Sequence, residues 1–205
     1  MPENKIKHIF LSGLCIIALM VSICVYAADT GNNSAGQPLD GSKAALPSDG
    51  AKVENDMFRF RLSPRTPEQM AAFYEGRGFP PAAIDVIKKT CFITVGFINK
   101  SDKVIWLELA NWRFYAANGE IKRFDRNYWN GEWDRISLPQ ASRSTFGWTL
   151  LPEERDLRAH EPIGGNIVLP PFTGTITVKA YFVTGENKRG TGINVEFRNI
   201  TCPSE

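Results

Sequence analysis

Strict alternation of apolar and polar residues is the feature that most narrows what this chain can fold into. Phe58, Phe60 and Leu62 alternate with Arg59 and Arg61, while Cys91, Ile93, Val95 and Phe97 share one parity with Thr94 and Gly96 on the other. Later, Ile176, Val178, Ala180 and Phe182 alternate with Thr175, Thr177, Lys179 and Tyr181, and Ile193, Val195 and Phe197 with Asn194, Glu196 and Arg198. Successive side chains of an extended strand point to opposite faces, so each run offers one apolar face to a core. Further strands are expected at 103–109, at 112–116 and 120–124 around the Asn118-Gly119 hairpin turn, at 145–150, and at 166–169. In the 145–150 segment Phe146, Trp148 and Leu150 fall on one parity. About nine strands with mostly tight connections predict a mainly β protein, an antiparallel β-sandwich.

One helical insertion is expected near residues 66–89. Thr66 and Gln69 form a capping box, with Pro67 at the first helical position, and Met70, Phe73 and Tyr74 then share a face. Gly76 and Gly78 stop this helix, and Pro80-Pro81 starts a second carrying Ile84 and Ile87. The pair is expected to cover an open end or edge of the sheets.

The first 27 residues have the form of a secretory leader: Lys5 and Lys7, an uncharged run from Ile9 to Val25, and cleavage after Ala27. The run is interrupted by Ser12, Gly13 and Ser22, short of the roughly 20 apolar positions of a spanning helix, so no stable membrane span is expected after cleavage. A retained anchor is the alternative, and a lipid anchor on Cys24 is disfavoured by the large Ile23 before it. Residues 28–52 are rich in small and polar residues and are expected to be a flexible linker ahead of one domain at 53–205. Localisation is expected to be exported: periplasmic in a Gram-negative host, otherwise secreted.

Loss of the leader removes Cys15 and Cys24, leaving Cys91 and Cys202 to pair in an oxidising compartment. A loop of about 100 residues closed this way is stabilised by about 4.7 kcal/mol in the chain-entropy model. Cys91, Trp106 and Cys202 stand in a loosely immunoglobulin-like order, but Ile200 occupies the place of the corner tyrosine and the second cysteine lies on the terminal strand. The sequence therefore resembles the sandwich class and not the family.

Charge and residue inventory exclude several chemistries. With 24 Lys+Arg against 22 Asp+Glu and no block of like charge, the whole-chain field points to no nucleic acid, anionic membrane or acidic substrate. Two cysteines without a Cys-x-x-Cys, and one histidine beyond the leader, His160, give no metal set, and no cofactor is expected. His160 also lacks a nucleophile to serve and is expected in a surface loop. Gly185 to Gly190 has glycines at phosphate-loop spacing but no following lysine, and is expected to be a hairpin turn. Arg155 and Asp156 are expected to anchor the long connection between 151 and 166. Asn32, Asn99 and Asn199 head glycosylation sequons.

All five tryptophans lie between 106 and 148, and their densest stretch, 126–135, is polar and contains a glycine. It is expected to be a connection whose rings either fold back to seal the sandwich or form a recognition surface. Sealing follows from the tendency of aromatics to be buried, and recognition from the concentration of function in loops. In the recognition reading Tyr128, Trp129 and Trp133 are platforms and Asn130, Glu132, Asp134 and Arg135 supply hydrogen bonds. Glu132 and Asp134 are also the carboxylates to consider for glycoside hydrolysis; Glu153 and Glu154 are weaker, because neighbours on a strand diverge.

The leading expectation is an exported, non-enzymatic binding or accessory module of the cell envelope, recognising another envelope or extracellular protein, or a glycan. The alternatives are a carbohydrate-active enzyme or sugar-binding domain using the Trp129–Asp134 loop, and a structural subunit of an envelope assembly.

Overall fold

The computed structural model describes residues 51–203, so the expected leader and the expected linker up to residue 50 lie outside the described residues. In chain order the elements are β1 (Ala51–Glu54), β2 (Phe58–Arg65), α1 (Pro67–Glu75), α2 (Pro81–Lys88), β3 (Cys91–Asn99), β4 (Ile105–Glu108), β5 (Arg113–Ala116) and β6 (Gly119–Ile121). These are followed by α3 (Arg126–Arg135), α4 (Gln140–Thr149), β7 (Glu154–Leu157), β8 (Pro162–Leu169), β9 (Thr175–Thr184) and β10 (Gly192–Thr201). The architecture is sandwich-like, with two antiparallel sheets and four helices among the described residues.

The first sheet runs β1-β2-β3-β8, and the second has six strands centred on β9. β10 lines one edge of β9, while β4 and β5 share the other, and β7 and β6 pair outside them. Leu107 opposite Phe182 and Arg113 opposite Lys179 are out of step by three residues. The turn at Leu109–Asn111 absorbs that difference, so β4 and β5 form one interrupted strand.

The alternating residues define the core. Phe60, Leu62, Ile93, Val95 and Phe97 of the first sheet meet Ile105, Leu107, Val178, Phe182 and Phe197 of the second. Phe60 sits at its centre, edge-on to Phe182 and Phe197 with ring centroids 5.5 and 4.9 Å away. The Cys91–Cys202 disulfide joins the start of β3 to the end of β10 across the two sheets, with Cα atoms 5.7 Å apart. A bridge of this kind belongs to an oxidising, extracytoplasmic compartment. No helix among the described residues is long and apolar enough to cross a membrane.

A second apolar cluster lies on the outer face of the first sheet. Phe92 and Val168 face each other across β3 and β8 there, opposite in parity to the sandwich core, and all four helices pack over them. The Thr66 capping box forms as expected, with Gln69 N–H donating to Thr66 Oγ1 at 3.1 Å. Where an end or edge was the expected site of α1 and α2, the helices instead cover a face, because Phe92 makes that face apolar at one end.

Three local expectations are corrected. Residues 140–149 are helix, not strand: the helix starts after Pro139 and buries Phe146 alone, so the period-two spacing of Phe146, Trp148 and Leu150 does not mark a buried face. Residues 126–135 are helix, not loop, capped by Asp125, whose side chain accepts from Tyr128 N–H at 2.9 Å. The connection at 151–166 contains β7 and the first five residues of β8, with the charged residues of β7 at the sheet edge. Asn99 is fully buried; its Nδ2 donates to the carbonyls of Lys103, Leu157 and Arg158, so its sequon is inaccessible in the fold. Gly185–Gly190 does connect two paired strands, β9 and β10.

Candidate functional site

Helix α3 decides what becomes of the aromatic stretch. Trp129 and Trp133 are one helical turn apart and point the same way, into the outer-face cluster, where they are 2% and 1% exposed. Their rings stack at 5.0 Å, and both pack on Phe146 of α4 at 4.5 and 4.9 Å. Both indole N–H groups are buried with no hydrogen-bond partner among the described residues, so the rings serve as apolar area. Tyr128 is partly exposed but lies flat on Phe124 with centroids 3.6 Å apart, and burial, then the nearby Glu132, raises its hydroxyl pKa.

The polar members of the stretch clasp the helices. Arg135 bonds back to Glu132 at 2.7 Å. Asp134 pairs with Arg143 of α4, which also donates to the carbonyls of Leu138 and Trp133 at 2.7 and 2.9 Å. Of the expected ligand-binding residues, Asn130 lines a cleft.

That cleft, of about 750 Å³, lies between α3, α4 and the start of β8, and a second of about 600 Å³ lies between α1, the end of α4 and β8. Trp148 and Gly164 line both. Trp148 is 88% exposed, whereas Trp112, Trp129 and Trp133 are each at most 3% exposed. Helix geometry explains the contrast: Trp148 follows the buried Phe146 by two residues, about 200° around the helix. On a strand the two would have shared a face.

The sheet around Gly164, which floors both clefts, is unusual. Arg61, Gly96 and Gly164 stand side by side across β2, β3 and β8 on the outer face. A Cβ on Gly96 would meet nothing within 4 Å, and one on Gly164 would meet only the Val95 carbonyl at 3.4 Å. Gly165 differs, because its Cβ would fall 2.6 Å from the Leu151 nitrogen. Glycine in a strand interior weakens the sheet, and where packing does not require it, it leaves room for something to approach the backbone. The next row, Ser63, Thr94 and Asn166, is tied by Thr94 Oγ1 donating to Asn166 Oδ1 at 2.8 Å and by Arg65 Nε donating to Thr94 Oγ1 at 2.9 Å.

Charge around the first cleft is mostly paired. Arg155 donates to Glu161 at 2.6 Å, and that bond, with the Arg158 N–H, holds the Glu161 carboxyl below its usual range. Lys188 is bonded to Glu108, and Glu154 adds only a lesser electrostatic attraction to it. Arg126 has no ion pair or hydrogen bond among the described residues, and its Nη1 lies 3.3 Å from where a Gly147 Cβ would be. Among the described residues no group of three or more His, Cys, Asp or Glu could hold a metal ion. His160 is exposed, 3.9 Å from Asp102, and is not among the residues lining either cleft.

No family model and no curated protein matches the sequence. Two solved structures are similar to it at low scores. The Bacillus subtilis protein ycdA, provisionally described as a lipoprotein, is 9% identical with a TM-score of 0.39, over 73% of this chain and 39% of that one. The Bacillus subtilis yjhA protein is 10% identical with a TM-score of 0.37, over 64% of this chain and 77% of that one. The chain thus spans well under half of ycdA, and likenesses at these scores carry no argument about function.

Proposed function

We propose that this protein is an exported, non-enzymatic binding or accessory module of the cell envelope, and that its recognition surface is the Trp148 groove. The observation that carries the reading is the 88% exposure of Trp148 between two clefts floored by a strand glycine that packing does not require. An exposed indole forgoes burial worth a few kcal/mol, and rings in such positions are the usual anchors of recognition. A binding reading is favoured over hydrolysis because Glu132 and Asp134 are engaged by arginines on the helices, and Glu161 of the first cleft is tied up in its hydrogen bond from Arg155.

The test is a capture experiment with envelope extract from producing cells. Wild type retains its ligand and Trp148→Ala does not, while the two melt at the same temperature. Equal retention by both removes the groove as the recognition surface.

A further inference from the structure

We propose that the Trp148 groove takes a linear acidic glycan, with one sugar ring stacked on Trp148 and a carboxylate held by Arg126; this rests on the groove being the recognition surface. The two clefts are each the size of a small-molecule site, and they meet at Trp148 and Gly164, so a ligand filling both is extended and crosses the indole. The glycine floor lets such a chain lie close against β8.

The lining favours sugar over a protein side chain. Protein interfaces concentrate their energy in a dry, apolar centre. Here one exposed ring is flanked by amides and hydroxyls, Asn130, Gln140 and Ser144 on one side and Gln69, Thr94 and Asn166 on the other, with Met70 and Phe73 adding apolar surface to the second cleft. Hydroxyl-rich rings match that distribution, with apolar C–H faces for the indole and polar edges for the amides. The acidic character follows from Arg126, whose guanidinium has no protein partner among the described residues and a geometry suited to a carboxylate. Arg65, steered by Thr94, adds positive charge to the second cleft. Of the carboxylates nearby, Glu161 is engaged by Arg155, while Glu154 has only an electrostatic attraction to Lys188, which is itself bonded to Glu108, so the positive charge offered to a ligand is that of Arg126 and Arg65.

The experiment is calorimetric titration of the full chain, disulfide intact, with polygalacturonate, alginate and hyaluronan against neutral galactan and dextran. At least one acidic polymer binds roughly tenfold more tightly than the neutral ones, the scale of one hydrogen bond to a charged group. Added salt reduces that preference. Arg126→Gln abolishes the preference, Trp148→Ala abolishes binding, and Trp148→Phe, which keeps a ring, retains most of it. Equal affinity for acidic and neutral polymers overturns the acidic assignment. Silence with every glycan, together with Trp148-dependent capture of a protein, overturns the glycan class and leaves the recognition surface standing. Glycan binding unchanged in Trp148→Ala overturns both.

Discussion

Helices α3 and α4 are each ten residues long and pack on the same outer sheet face, yet they treat tryptophan in opposite ways. In α3 the spacing of four between Trp129 and Trp133 turns both rings inward. In α4 the spacing of two between Phe146 and Trp148 sends one ring into the cluster and the other into solvent. Composition does not separate the two; angular phase does. An aromatic residue is informative about binding only after its partner on the same helix has been placed.

The comparison is most severely tested by truncating the inward rings. Trp133→Ala is expected to lose about 3–5 kcal/mol, the range for a large aromatic removed from a core. That is a fall in melting temperature on the order of 10 °C for a domain of this size. Trp148→Ala should leave the melting temperature within a degree or two, and should remove the tryptophan fluorescence that acrylamide quenches most readily. Equal destabilisation by both substitutions breaks the contrast.

Next in size is the disulfide, which fastens the two sheets and touches neither helix. Replacing Cys91 and Cys202 by Ala is expected to cost about 2–4 kcal/mol. Quenching of Trp148 should be unchanged, because the helical layer is held by its own cluster. A large gain in buried-tryptophan quenching under native conditions would show that the layer depends on the bridge.

A smaller effect concerns the joint between α1 and α4. The buried Tyr74 hydroxyl meets Thr149 Oγ1 at 2.6 Å, one residue after Trp148, and Tyr74→Phe is expected to lose about 1 kcal/mol. Burial raises the Tyr74 pKa well above its ordinary value of 10.0, the Thr149 hydrogen bond opposing in part. Below pH 10 both folded and unfolded chains keep the phenol protonated. Above it the unfolded chain ionises first, so stability falls as pH rises toward the folded value. Denaturant titrations between neutral pH and pH 11 should show a steeper alkaline decline in wild type than in Tyr74→Phe; parallel declines would remove Tyr74 as the cause.

Much of the sandwich was legible because strand period and burial coincide: Phe58 to Leu62, Cys91 to Phe97 and Ile176 to Phe182 bury the residues their alternation marks. The capping box located α1 for an equally local reason. The site was less legible. Reading Phe146, Trp148 and Leu150 with period two put Trp148 on a buried face, and reading 126–135 as a connection hid the four-residue spacing that seats Trp129 and Trp133. Asp125 as a cap was the available signal for α3. For α4, whose single buried residue defines no period, the sequence held little. Phe92 was equally silent: lying between Cys91 and Ile93 in an apolar run, it marks the face that the helices cover only once the strand's parity is known.

The smallest expected effect concerns Gly96, the cross-strand neighbour of Gly164 in the groove floor. Gly96 lies mid-strand with open space where a Cβ would be, so Gly96→Ala meets no obstacle and restricts the unfolded chain. The substitution is expected to raise stability by about 0.4–1 kcal/mol, measurable as a higher denaturation midpoint with unchanged slope. Gly165→Ala, driven into the Leu151 backbone, should do the reverse. A stabilising alanine at position 96 would mean that packing is not what demands glycine there, as expected if the outer face is kept clear for a ligand. A destabilising one would mean that the sheet needs that glycine for itself, and the open space beside Gly164 would lose its functional meaning.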